Sequence, residues 1–130
     1  MAGTVAPYTL SANNKVPQAY IPIILSGSDA SAILLPGKTG SVIEVWGCDI
    51  FVTGATTLDF LSGATDISGA IILPALFNYQ WGLPFGKSLE ASAAPRCITA
   101  DGQNLVMTNS APTVIGGTIW VIQRATSISV

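Results

Sequence analysis

Histidine is absent from this 130-residue chain, and only 9% of its residues carry charge, five Lys or Arg against seven Asp or Glu. Without imidazole, the chain lacks the commonest general base and the commonest nitrogen ligand for a transition metal. A Ser or Cys nucleophile has no such base to activate it. A Ser-Lys pair exists formally at Lys87 and Ser88, but neighbours in a strand point to opposite faces. Cations are also scarce. The net charge of −2 and the isoelectric point near 4.6 are wrong for neutralising phosphates, so no nucleic-acid partner is expected. The longest apolar run, residues 70–77, is broken by Pro74 and falls far short of the ~20 residues of a membrane-spanning helix, so no membrane partner is expected either. The start, MAGTVAPYTLSANNK, has no basic stretch followed by an apolar one, which predicts synthesis in a cytoplasm without a secretion signal.

Cysteine is nearly absent too. Cys48 and Cys97 stand far apart, which excludes a C-x-x-C redox or zinc pattern, and in a reducing compartment both are expected to be free, buried thiols. The carboxylates Glu44, Asp49, Asp59, Asp66, Glu90 and Asp101 are scattered, and paired acids for glycoside chemistry need a cleft that a chain of this size struggles to enclose. Asp29, Asp66 and Asp101 fall in turn contexts, where Asp bonds its own backbone. No EF-hand spacing, phosphate-binding loop or G-x-G-x-x-G is found. No catalytic residue, cofactor or metal ligand is assigned, and a non-enzymatic protein is expected.

What the chain does have is 13 Gly, 8 Pro and 49% hydrophobic residues arranged in strand-length segments between turn clusters. That pattern predicts an all-β fold, an antiparallel β-sandwich of jelly-roll-like character over residues 18–130, preceded by an extended N-terminal arm over residues 1–17. Strands are expected at residues 19–25, 32–35, 41–52, 56–61, 69–77, 88–91, 104–109 and 117–124. The segment 24–36 (ILSGSDASAILLP) echoes 60–74 (FLSGATDISGAIILP), as two similar hairpins would.

The longest strand contains a conflict. Strict alternation from Val42 to Val52 puts Glu44 on the face of Val42, Trp46, Cys48, Ile50 and Val52. A bulge at Gly47 removes the charge from the core: Ile43 and Val45 point inward before it, Cys48, Ile50 and Val52 after it. Glu44, Trp46, Asp49 and Phe51 then share the outer face. The last strand has Ile119 and Val121 on one face and Trp120 and Ile122 on the other. Both strands therefore need cover on two sides, which predicts a homo-oligomer with Trp46, Phe51, Trp120 and Ile122 at its interface.

Residues 41–124 carry a resemblance. The strand SVIEVWGCDIF, then TTLDFLSG, SGAIILPALF, LPFGKSLEAS, DGQNLVMTNSAPTVIGG and the closing TIWVIQR resemble small virion proteins of tailed bacteriophages, the head decoration or cement proteins. The resemblance implies a structural protein located on the capsid surface of a virion, assembled in the host cytoplasm. It implies a homotrimer that binds the major capsid protein and strengthens the shell without catalysis. The arm, with Tyr8, Leu10 and Lys15, is the expected capsid contact. The alternative is a receptor- or carbohydrate-binding module of a tail fibre, for which Asn78, Tyr79, Gln80 and Trp81 are the candidate exposed cluster.

Overall fold

The computed structural model describes residues 2–5, 8–10, 18–82 and 95–126, with side chains from Tyr20 onward within those ranges. The described chain is all strand and turn, with no helix: β1 (Ala2–Val5), β2 (Tyr8–Leu10), β3 (Gln18–Ser26), β4 (Ser31–Leu35), β5 (Ser41–Val52), β6 (Thr56–Ser62), β7 (Thr65–Asp66), β8 (Ile71–Leu73), β9 (Phe77–Gly82), β10 (Cys97–Ile98), β11 (Leu105–Asn109) and β12 (Ile115–Ala125).

These strands make an antiparallel β-sandwich. The larger, seven-stranded sheet runs β1-β3-β12-β5-β10, with β2 also on β3 and β9 also on β5; the smaller, five-stranded sheet runs β4-β11-β6-β7, with β8 also on β6. The chain changes sheet between β3 and β4, β4 and β5, β5 and β6, and again later. Each sheet thus combines sequence neighbours, such as β2 with β3 and β6 with β7, with strands distant in sequence, such as β3 with β12 and β4 with β11.

Alternation explains the core. β6 reads TTLDFLS, its odd positions buried and its even ones half-exposed, which sends Leu58 and Phe60 inward and Thr57, Asp59 and Leu61 outward. Leu105 and Met107 of β11 meet them, and Ile23, Ile43, Val45, Ile50, Val52, Ile115, Ile119 and Val121 arrive from the larger sheet. Truncating one of these fully enclosed side chains to Ala costs about 2–5 kcal/mol, because the close-packed neighbours refill the space only in part.

The bulge is present where the conflict predicts it. Trp120 pairs with Gly47 and Val121 with Val45, so Trp46 is the extra residue and everything beyond it changes face. Ile43 and Val45 before the bulge and Cys48, Ile50 and Val52 after it are all buried. Gly117 allows β12 to pass through this region: its φ is 121°, and a Cβ there would run into the Asp49 carbonyl.

Several expectations are corrected. The single strand at 69–77 is two, β8 in the smaller sheet and β9 in the larger. Pro74, which cannot donate to a ladder, ends the first, and Leu76 makes the crossing with a left-handed φ of 53°. The two-residue β10 was not foreseen, and residues 88–91 lie outside the described residues. The echo at 24–36 and 60–74 does not give equivalent hairpins: β3 and β4 belong to different sheets, whereas β6 pairs directly with β7. β1 and β2 run antiparallel along β3 of the same chain and satisfy its edge groups.

Candidate functional site

The outer face of the larger sheet carries a small second cluster. Tyr20 and Ile122 are buried there, with Trp46 and Trp120 packed against them, and the Tyr20 and Trp46 rings meet edge to face at 6.3 Å. Glu44 sits beneath this group, almost wholly buried. Its carboxylate accepts from Trp46 Nε1 at 2.9 Å and from Arg124 Nε and Nη2 at 3.0 and 3.1 Å. The bidentate pair raises the Arg124 pKa, and burial pushes the Tyr20 phenol up to about 12.

Of the residues expected at an oligomer interface, Trp46, Trp120 and Ile122 are therefore brought together and partly covered by their own chain. Phe51 stands apart from them, 41% exposed at the far end of β5. Of the expected capsid contacts, Tyr8 and Leu10 lie in β2, paired with Tyr20 and Gln18. Lys15 lies outside the described residues.

The segment expected to offer exposed aromatics is strand β9, paired with β5 from Phe77 opposite Val52 to Gly82 opposite Gly47. Asn78 and Gln80 face outward, but Tyr79 and Trp81 pack on the core. The Arg96 guanidinium lies over both rings, 5.8 Å from Tyr79 and 5.6 Å from Trp81. Cys48 and Cys97 are free and buried. Burial pushes their thiols up to about 12 and about 11, against the opposing pull of Arg96. Asp59 and Asp66 share the outer face of the smaller sheet; burial and then the Asp66 carboxylate raise the Asp59 pKa. No group of three or more potential metal ligands occurs among the described residues.

The two ends of the sandwich differ sharply. At one end, turns 36–40 and 99–104 and the end of β12 are tied by polar groups: Asp101 accepts from Gly40 N and Thr126 Oγ1, each at 2.8 Å. Gly37 N donates to Asn104 Oδ1, and Gln123 Nε2 donates to the Pro36 carbonyl. Lys38, Asp101 and Arg124 are all here.

The other end is formed by the turns at 27–30, 53–55, 74–76 and 110–114, held together by Ile115 N on the Gly27 carbonyl and Thr53 N on the Val114 carbonyl. Five of the eight large exposed hydrophobic residues among the described residues cluster at this end: Phe51 (41%), Ile72 (79%), Leu76 (74%), Phe77 (40%) and Val114 (54%). Sequence reasoning missed four of them, because in a chain this apolar an exposed Leu or Ile looks like a core residue. A signal was nevertheless present, since stretches 50–58, 67–86 and 102–123 contain no charged residue at all.

Compared with known proteins, the chain matches no family model, no curated protein and no solved structure.

Proposed function

We propose that this chain is a non-enzymatic structural virion protein, a decoration or cement protein that binds and stabilises the outer surface of a phage capsid. Its partners on this reading are the major capsid protein and further copies of itself, with the trimer favoured by the resemblance over residues 41–124. The observation that carries the reading is a sandwich with an apolar core that still leaves eight large apolar side chains among the described residues at least 40% exposed, on a chain with very few charges. An isolated protein in water gains nothing from that distribution, whereas one embedded in a dense assembly covers these side chains against neighbours.

The fibre-module reading loses support from β9, whose Tyr79 and Trp81 are half-buried against the core and carry the Arg96 guanidinium over their rings. Co-sedimentation with shells of the same source separates the two. The decoration reading expects saturable binding that changes less than about threefold between low and moderate salt, because long-range charge contributes little. Absence of shell binding together with specific glycan binding contradicts it.

A further inference from the structure

Two of the seven acidic residues meet on the outer face of the smaller sheet. Leu58 and Phe60 of β6 turn into the core, which sends Asp59 outward. On β7, Asp66 pairs opposite Leu61, two residues along the same outward row, while the next residue, Ile67, packs on the core. Asp59 and Asp66 are therefore diagonal neighbours, with carboxyl groups within hydrogen-bonding reach of one another. Ionised carboxylates only accept hydrogen bonds, so such a contact needs a proton on one of them.

The surroundings decide which. Asp66 Oδ1 accepts from Ser68 N at 3.1 Å and Gly69 N at 2.8 Å, bonds that suit an anion. Asp59 Oδ1 is enclosed, although the residue is half-exposed, and no donor reaches it. An enclosed charge without a donor is costly, and protonation removes it. Burial and then the Asp66 carboxylate accordingly raise the Asp59 pKa. Among the described residues no cation faces the pair: Thr108 of β11 stands opposite Asp59, Thr57 and Leu61 flank it, and Ile72 of β8 lies beside Thr57. Asp66 is the only titratable group among them that faces Asp59, and the buried Cys97 thiol is the other one within electrostatic reach of Asp66.

The element that these residues fasten is slight. β7 has two residues, and beyond its ladder the 63–70 turn is joined to β6 by Ile67 N on the Phe60 carbonyl at 3.0 Å and by Phe60 N on Ser68 Oγ at 2.9 Å. An element held by so few bonds lies at the low end of local stability, where repulsion between like charges acts on it directly. We infer that Asp59 and Asp66 form a proton-operated clasp. One proton, held by Asp59 and shared with Asp66, fastens the turn to β6; its release as pH rises sets two like charges side by side and loosens the turn. The folded chain binds this proton more tightly than the unfolded one, so the stability it contributes is full below the unfolded aspartate value and is lost as pH rises through the raised folded one.

Carbon-13 NMR titration of the side-chain carboxyls and amide hydrogen exchange, both on the full chain, test this. The Asp59 carboxyl is expected to titrate above the ordinary aspartate range. In Asp66→Asn, which keeps an oxygen for Ser68 and Gly69 and offers Asp59 an amide N–H, it is expected to fall back into that range or below it. Protection of the Ile67 amide is read relative to that of Thr99, whose bond to the Ile43 carbonyl lies on the larger sheet. It is expected to rise about threefold or more between pH 7 and about pH 4.5. Asp59→Asn supplies a permanent donor, and is expected to abolish that rise and to lift the thermal midpoint at pH 7 by about 1–3 °C. An aspartate that merely holds the structure together would lose stability on the same change. Asp59 titrating in the ordinary range overturns the inference, and an unchanged Asp59 titration in Asp66→Asn does so by assigning the effect to burial alone. Equal Ile67 protection at both pH values, or Asp59→Asn melting at or below the wild type at pH 7, overturns it as well.

Discussion

Individual side chains show how a chain with so few charges uses them. Glu44 is buried because two donors converge on it, and its removal strands the Arg124 guanidinium and the Trp46 indole. Asp101 works in the open: hydrogen bonds from Gly40 N and then Thr126 Oγ1 hold its pKa below the usual carboxylate range. A lowered folded pKa contributes stability that is present above the unfolded carboxylate value and is lost as pH falls through the folded one. Asp101→Ala is therefore expected to melt at a lower temperature than wild type at neutral pH, the two converging as pH falls through the lowered folded pKa, as read by circular dichroism melts across pH. Parallel curves at every pH would contradict the assignment. The cysteines give a second expectation, since thiols raised to about 12 and about 11 by burial are protonated and shielded. Alkylation should be slow in the native protein and should reach two modified thiols per chain after denaturation without reductant, by intact mass. A disulfide-linked majority would contradict it.

Among the elements, β5 was the most legible. Its bulge follows from one misplaced carboxylate in an otherwise regular alternation, and the register shift opposite Trp46 and Gly47 is where that reasoning puts it. β6 was legible for the same reason, a clear period of two, whereas β11 and β12 were legible as apolar runs of strand length between turn residues. β9 was not: its alternation of Phe77, Tyr79 and Trp81 with Asn78 and Gln80 is a strand pattern, but the amides drew attention to the wrong face. β10 has two residues and no period to read. The sheet crossings after β3 and β8 were hidden because tertiary pairing, and not local sequence, decides which sheet a strand joins. The junction of β12 with β5 gives the sharpest element-scale expectation. Gly117→Ala puts a Cβ against the Asp49 carbonyl at a left-handed φ, and should cost at least about 2 kcal/mol in chemical denaturation. A loss below about 0.5 kcal/mol would show that the two strands part there without strain.

At the scale of the whole molecule, the core lies between an end tied by polar groups and an end where exposed apolar side chains gather. The fold class was legible from composition and turn spacing, since strand-length apolar segments separated by Gly and Pro leave few other ways to bury 49% hydrophobic residues. The apolar end was not, because grouping Phe51, Ile72, Leu76, Phe77 and Val114 requires knowing which four turns meet. On the proposed reading this distribution lets the protein trade solvent for neighbours on a shell. The most direct measurement is the disassembly temperature of shells stripped of this protein, recorded by light scattering as the purified chain is added back. The account predicts a rise that saturates at a fixed number of copies per shell; an unchanged disassembly temperature at saturating protein would contradict it.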